Sequence, residues 1–419
     1  KAEINRRALT DTNAFEPCPE KPLMALRALI AESAVPQPEG MPPMAAGVFG
    51  YLGYDMVREM ERLAEPKPDP IGTPDAIMIR PTVMAVFDTV RDEISIVTPA
   101  RPAQGVSARA AYDRALERID AVVERLEGPL VHDSSADPHL LAEPPVSNTP
   151  EPRFLDMVEK AKEYIRAGDI FQVVLSQRFT APFSLPAFAL YRALRRVNPA
   201  PFLCYLDFGG FQIVCSSPEI LVRVRAGEVT IRPIAGTRWR GKTVAEDEAL
   251  AADLLADEKE RAEHLMLLDL GRNDVGRVAK IGTVEVTDQF TIERYSHVMH
   301  IVSNVEGELS KGLSALDALL AGFPHGTVTG APKIRAMEII NEVEKHKRGI
   351  YAGGVGYFGA GGDMDTCIAL RTAIVKDGML YAQAGGGVVL DSDPEAELQE
   401  TLHKSRALFR AAADAWRYT

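Results

Sequence analysis

Phe171-Gln172-Val173-Val174-Leu175-Ser176-Gln177-Arg178-Phe179 alternates its side chains: Phe171, Val173, Leu175 and Phe179 fall on one face, and Gln172, Ser176 and Arg178 on the other. A period of two marks an extended strand with one face turned to a core. Downstream, strands are predicted at about 202–208, 211–216, 220–225 and 228–235, joined by short turns containing Gly209-Gly210 and Ala226-Gly227. Turns this tight between consecutive strands imply antiparallel pairing. A second set is predicted near 351–359, 365–376 and 379–384, turning at Gly361-Gly362-Asp363 and Asp377-Gly378. Helical periodicity lies between and after these sheets. The expected fold class is therefore α+β, antiparallel β-sheets packed together with surrounding helices, and not a doubly wound parallel sheet. No internal repeat is visible.

Upstream, residues 1–95 mix helical and strand-like runs with Pro-rich breaks at Pro36–Pro43 and Pro66–Pro74, and a helix is predicted at about 106–127. Gly128 to Pro152 is rich in Pro, Ser and Asp and reads as a linker. The expected division is an N-terminal region 1–127, a linker 128–152 and a C-terminal domain 153–419. Thr149-Pro150 reads as an N-cap with proline at the first helical position, opening a helix that ends near Gly168. The chain opens at Lys1-Ala-Glu without methionine, so an N-terminal portion is expected to be missing.

The 419 residues carry a net charge of −12, which argues against broad binding to nucleic-acid backbones. A small anionic substrate stays open, because one metal or arginine overrides the mean field locally. The four cysteines, Cys18, Cys204, Cys215 and Cys367, show no C-x-x-C spacing and read as reduced thiols of a cytoplasmic protein. No apolar run approaches the roughly 20 residues needed to span a bilayer.

Two glycine patterns suggest nucleotides. Gly236-Thr-Arg-Trp-Arg-Gly241-Lys242-Thr243 matches the P-loop pattern, and a P-loop nucleotide-binding protein is the alternative from another class. Against it, Arg238-Trp239-Arg240 is bulky where backbone N–H groups would have to converge, and Leu265–Asp269 continues a helical period instead of forming an acidic strand end. Gly354-Val-Gly356-Tyr-Phe-Gly359 leads into a turn and another strand, so no helix N-terminus would face a pyrophosphate.

Carboxylates supply the second constellation. Residues 246–270 read as one strongly helical segment, with Glu260, Glu263 and His264 at i, i+3 and i+4 on one face. A further helix opening at Asp393 places Glu397, Glu400 and Lys404 at i, i+3 and i+7. Spacing alone describes solvated helix faces. The setting of the second pair, just after Gly385-Gly386-Gly387, allows backbone to approach a ligand closely, and such carboxylates suit Mg²⁺.

Several ordered blocks resemble the chorismate-utilising enzyme family: Pro233-Ile-Ala-Gly-Thr-Arg238, Glu260-Arg-Ala-Glu-His264, Asp269-Leu-Gly-Arg-Asn-Asp274, Tyr295-Ser-His-Val-Met-His300, Gly326-Thr-Val-Thr-Gly-Ala-Pro-Lys333, Asp365-Thr366-Cys367 leading to Arg371, and Gln383-Ala-Gly-Gly-Gly387. The likeness covers about residues 150–412, and Gly50-Tyr-Leu-Gly-Tyr-Asp55 extends it more loosely. Within the family, the enzymes that add water carry a lysine base where this chain has Gln172. The aminodeoxychorismate synthases carry a lysine nucleophile where it has Ala235. Both departures favour direct amination at ring position 2, with aminodeoxychorismate synthesis the runner-up.

The resemblance implies an enzyme turning chorismate and ammonia into anthranilate and pyruvate in tryptophan biosynthesis. One Mg²⁺ would be gathered by Glu260, Glu263, Glu397 and Glu400, and Arg371 would grip the enolpyruvyl carboxylate from a strand face shared with Asp365, Cys367, Ala369 and Ala373. Gln172, Thr237, Tyr351, the backbone of Gly385, Gly386 and Gly387, and Lys404 would complete the substrate site. Glu219 would act as general acid, which requires a raised pKa. His300 and Thr327 would serve the elimination of pyruvate, with His264 as an outer group near the metal. Asn198, Pro199, Pro201 and Phe202 resemble a segment that binds tryptophan as inhibitor; the companion Leu-Leu-Glu-Ser-like element is missing. None of the cysteines sits in a nucleophile-elbow context, so ammonia from glutamine would require a separate glutamine amidotransferase subunit.

Overall fold

The computed structural model describes residues 1–101, 105–129, 144–295 and 298–419. They group into two compact units that are discontinuous in sequence: 1–50, 77–131 and 356–364 in one, and 51–76, 132–355 and 365–419 in the other. Residues 51–76 thus group with the C-terminal part of the chain and 356–364 with the N-terminal part, unlike a single cut at 128–152. Much of that expected linker lies outside the described residues.

The smaller unit holds a short antiparallel pair, Ala2–Ile4 with Glu16–Cys18, and a hairpin, Met84–Asp88 with Glu93–Val97. Its helix Ala108–Glu127 is capped by Ser107, whose side chain accepts from the Ala110 N–H.

In the larger unit the Gln172–Pro182 strand lies inside an antiparallel sheet. The order is Gly330–Ala331, Gln172–Pro182, Met379–Val388, Thr372–Lys376, Gln212–Ser217, Phe202–Asp207. Both faces are buried, unlike a simple alternation: Gln172, Ser176 and Arg178 on the polar face are inaccessible, as is Gln177 on the apolar face, while Phe171, just ahead of the strand, is exposed and not in the core. A second antiparallel group runs Ile234–Trp239, Val298–Glu308, Glu228–Ile231, Ile220–Arg225, with Glu285–Arg294 also on Val298–Glu308. The α+β class with antiparallel sheets is what the structure has. The core beside the first sheet is built by Leu190 and Leu194 of helix Ala187–Val197 and Leu408 and Ala411 of helix Pro394–Asp414, all essentially inaccessible. Cutting Leu194 to Ala there would cost about 2–5 kcal/mol.

Three local expectations are corrected. The predicted helix 246–270 is two helices, Val244–Ala256 and Glu258–Gly276, because Asp257 stops the first and caps the second through the Lys259 and Glu260 N–H groups. The predicted strand 365–376 breaks at Arg371, which adopts φ 48°, a left-handed conformation outside regular strand geometry. The face-sharing argument for Arg371 therefore fails, although the residue keeps a place in the site. Helix Glu151–Arg166 is preceded by Pro150 as N-cap, and the Thr149 hydroxyl donates to Asn148 Oδ1 instead of capping.

Candidate active site

The strand Met379–Val388 is paired with Thr372–Lys376 only as far as Ala382, while its other edge stays paired with Gln172–Pro182 up to Val388. Gly385, Gly386 and Gly387 therefore lie in a strand with one edge open. The Gly385 carbonyl accepts from Lys404 Nζ at 3.0 Å on that edge. Residues of an antiparallel strand aim N–H and C=O the same way, so the Gly385 N–H, and that of Gly387 two residues on, face the opening too.

Carboxylates from two helices crowd these glycines. A Cβ on Gly386 would stand 2.8 Å from Glu397 Oε2 and 3.6 Å from Glu400 Oε1, and one on Gly387 would stand 3.8 Å from Glu263 Oε1 and 2.4 Å from Gln172 Nε2. Only glycine leaves that space. Each carboxylate has a side-chain partner. Glu263 accepts from Gln172 at 3.0 Å, Glu397 from Ser392 at 2.7 Å, Glu260 from Arg238 at 3.3 Å, and Glu400 pairs with Lys404 at 2.6 Å. Burial raises the pKa of Glu263, and the charges of Glu260 and Glu400 raise it further against the Gln172 hydrogen bond. Glu397 is raised by burial and by Glu400, against the Ser392 hydroxyl. Among the described residues, buried Glu397 Oε2 has no hydrogen-bond partner. Among the described residues, no three His, Cys, Asp or Glu side chains stand close enough to hold a metal as they are.

Glu219 lies apart from this group, 5% exposed, just before strand Ile220–Arg225. Burial pushes its carboxyl up to about 8, despite opposing pulls from the Thr327 hydroxyl, the Ile234 N–H and the Lys404 charge. His325 Nδ1 lies 3.7 Å from Glu219 Oε1, but burial holds that imidazole down to about 3. With the histidine neutral and the carboxyl protonated at pH 7, this contact is not an ion pair. His325 Nδ1 instead accepts from the Thr327 N–H at 3.3 Å and lies 2.8 Å from Thr327 Oγ1, fixing the turn Gly326–Val328.

His300 Nδ1 is 2.8 Å from the Gly236 carbonyl and 3.1 Å from Thr237 Oγ1. A carbonyl only accepts, so Nδ1 carries the proton and Nε2 holds a lone pair. Burial lowers the His300 pKa, and Arg371 and Lys404 add to the lowering, which places all three within electrostatic reach. Tyr295 packs edge-on against the His300 ring at 5.6 Å. Gly236 also links the groups, since a Cβ there would stand 3.1 Å from Glu260 Oε2.

Arg371 is partly buried and has no carboxylate partner among the described residues. Its Nη1 donates to Asn198 Oδ1 at 3.4 Å. Asn198, at the C-cap of helix Ala187–Val197, also donates to Ser216 Oγ at 3.0 Å. Pro199 and Pro201 follow it, and Phe202 begins the strand Phe202–Asp207. Tyr351 is buried, and its hydroxyl would meet a Cβ on Gly385 at 2.7 Å. His264 points elsewhere: fully buried, its Nε2 is 2.7 Å from Ser303 Oγ and its ring packs on Phe290.

The P-loop look-alike is closed by the protein's own acids. Asp247 accepts from the Gly241 N–H at 2.9 Å and Glu246 from the Lys242 N–H at 2.8 Å, while Arg238 and Arg240 are bound to Asp253, Asp257 and Asp247. A phosphate has no free cradle there. His325 and Tyr295 stand at the edges of recognisable sequence blocks, one directly preceding the Gly326 block and the other opening the block ending at His300, yet nothing in the sequence singles them out individually. Nor does it mark Arg348 or Glu344.

A family model described as chorismate binding enzyme matches residues 5–410. The chain belongs to that family. It is 61% identical over 415 residues to anthranilate synthase component 1 of Cereibacter sphaeroides, covering 99% of this chain and 83% of that one. To the Pseudomonas aeruginosa protein of the same name it is 50% identical over 403 residues, covering 94% and 80%. The crystal structure of anthranilate synthase component I from Streptococcus pneumoniae matches with a TM-score of 0.84 at 41% identity, over 94% of this chain and 86% of that one. The menaquinone-specific isochorismate synthase of Escherichia coli shares the fold, at 22% identity and a TM-score of 0.73 over 93% of this chain and 82% of that one. Among the described residues, no helix is long and apolar enough to cross a membrane.

Proposed function

We propose that this chain is the ammonia-using half of an anthranilate synthase, converting chorismate and ammonia to anthranilate and pyruvate with Mg²⁺. The observation that carries the reading is the convergence of Glu263, Glu397 and Glu400, from two helices, on the open edge at Gly385–Gly387. The donor set suits a hard cation. Oxygen ligands repel one another across a half-buried space, and Glu397 Oε2 has no hydrogen-bond partner among the described residues. Glu260, Glu263, Glu397 and Glu400 would hold the ion, and its charge would neutralise the ring carboxylate of chorismate and polarise the ring.

The remaining chemistry belongs to the chain itself. Arg371, a guanidinium with no carboxylate partner among the described residues, suits the enolpyruvyl carboxylate with its planar fork. The outward N–H groups of Gly385 and Gly387 and the Tyr351 hydroxyl add donors. Gln172 has a buried Oε1 with no partner among the described residues, an acceptor for an N–H of ammonia, and it is no base that could activate water. As the new C–N bond forms and the ring hydroxyl departs, protonated Glu219 gives that oxygen its proton, so water leaves. Neutral His300 then takes the ring proton at its free Nε2 as the bond between the ring carbon and the ether oxygen breaks. The departing enolate takes up that proton at its methylene carbon to become pyruvate, and the ammonium formed on addition returns a proton to Glu219, leaving an aromatic ring. Thr327 sits beside Glu219 and Thr237 beside His300 to orient them. Ala235 offers no amine to attack the ring, which disfavours aminodeoxychorismate synthesis.

Ammonia would come from a separate glutaminase subunit, and tryptophan would inhibit the full-length protein through Asn198, Pro199, Pro201 and Phe202, next to Arg371. The test is incubation of the protein with chorismate, Mg²⁺ and an ammonium salt while following anthranilate fluorescence. Absence of any aromatic product would sink the reading, and a 4-aminobenzoate precursor would replace it with the runner-up.

A further inference from the structure

Glu344 and Arg348 form an ion pair in the core of the larger unit, 6% and 3% exposed. Glu344 is the C-cap of helix Lys333–Val343. The pair is a fork: Arg348 Nη2 donates to Glu344 Oε1 at 2.6 Å and Nε to Oε2 at 3.0 Å. Its other donors reach backbone in two different segments, Val328 O at 2.7 Å and Val174 O at 2.6 Å. Glu344 Oε1 in turn accepts from Ser176, from N at 2.9 Å and from Oγ at 2.8 Å. The guanidinium also lies over the rings of Tyr54 and Tyr351, 4.9 and 5.5 Å from their centroids.

These contacts end on the walls of the active site. Val174 and Ser176 are the register partners of Gly387 and Gly385. Val328 directly follows Thr327, in the turn that faces Glu219. Tyr351 places its hydroxyl against Gly385. We propose that Glu344–Arg348 is a positioning pair that sets the glycine strand, the Thr327 turn and Tyr351 in mutual register for chorismate. It rests on the reading of the site given above. Stability alone does not call for such a pair, because packed hydrophobic residues commonly replace a buried ion pair at no loss. Lysine keeps the charge but has three rotatable donors and no planar fork, so it cannot hold Glu344 and both carbonyls at once.

The test uses the whole chain with chorismate, Mg²⁺ and ammonium salt, and hydrogen exchange read by mass spectrometry. R348K is expected to lower kcat/KM about 100-fold, mainly through KM, the scale of loss that follows a displacement of about 1 Å. Amides in 326–331 and 383–390 should exchange faster in R348K, while those of helix Ala187–Val197 stay unchanged. The double variant R348M/E344L leaves the Val174 and Val328 carbonyls and the Ser176 N–H without these partners, so it should melt below wild type and keep the KM defect at temperatures where it is fully folded, separating register from stability. R348K with wild-type KM and wild-type exchange, or a double variant that recovers KM, would overturn the inference. Wild-type protein that makes no anthranilate would instead sink the functional reading, and the exchange arm would still decide whether the pair holds these segments.

Discussion

Glu219 and the Glu263–Glu397–Glu400 group lie in the same unit, and burial raises carboxyl pKa values in both regions. The surroundings differ. Around Glu219 the other influences all pull downward, yet burial still wins, and the lone carboxyl keeps its proton at neutral pH. Around Glu263 and Glu397, neighbouring carboxylates add repulsion to burial. A lone buried acid is relieved by holding a proton, whereas a crowd of acids is relieved by a shared cation. One region is therefore equipped to give a proton and the other to take Mg²⁺.

The largest expected effect breaks the first region. E219Q keeps the shape and removes the acid, and kcat should fall by about 10²–10⁴-fold, with the protein still folded by circular dichroism. In the wild type, activity should decline along a limb near pH 8, as Glu219 loses its proton. Loss of less than tenfold in E219Q, or a wild-type limb far from pH 8, would remove Glu219 as the acid. The same carboxyl has a stability signature. Its folded pKa of about 8 lies above the ordinary 4.5, so the folded state holds the proton more tightly. That stabilisation is complete below about pH 4.5 and is lost as pH rises toward 8. The melting temperature of E219Q relative to wild type should therefore rise by on the order of a few degrees across that window.

E397Q and E263Q strike the second region. Each should weaken Mg²⁺ binding by at least about 10-fold by calorimetry and lower kcat/KM about 100-fold at limiting Mg²⁺, with partial recovery at high Mg²⁺. An E263Q variant with full activity at low Mg²⁺ would refute the shared site. The contrast sharpens further in pH: neither variant should lose the limb near pH 8, because that limb belongs to Glu219.

The sequence made some of this visible and hid the rest for physical reasons. Alternation in Phe171–Phe179 shows a strand, because a half-buried surface imposes a period of two. It cannot show that the polar face is buried as well, since the partners of Ser176 and Arg178 are Glu344 and Gln383, far along the chain. Glu260 and Glu263 are legible at helical spacing even though the helical period runs unbroken through Asp257, because the break there precedes both. The left-handed turn at Arg371 leaves no mark in an apolar run, and glycine is not used there. The P-loop match shows the reverse failure: the spacing fits, and only the structure reveals that Asp247 and Glu246 already occupy the loop's N–H groups.

The smallest effect tests the border between the two regions, at Lys404. Its ammonium is tied to Glu400 and to the Gly385 carbonyl, so it has little freedom to serve as a second grip on the substrate carboxylate. Its charge also reaches Glu219, where it lowers the pKa. Both partners of the Lys404–Glu400 pair are about half exposed, and such pairs contribute only about 0–1 kcal/mol, so K404M should leave the melting temperature unchanged. Freed of its lysine, Glu400 becomes a better metal ligand, and Mg²⁺ affinity should stay equal or tighten by a few-fold. The pH limb should move upward, because the charge restraining Glu219 is gone. Chorismate KM should rise only a few-fold if Lys404 is chiefly a tether. A KM increase of about 100-fold with unchanged Mg²⁺ affinity would instead make Lys404 a direct carboxylate contact and join the two regions through the substrate.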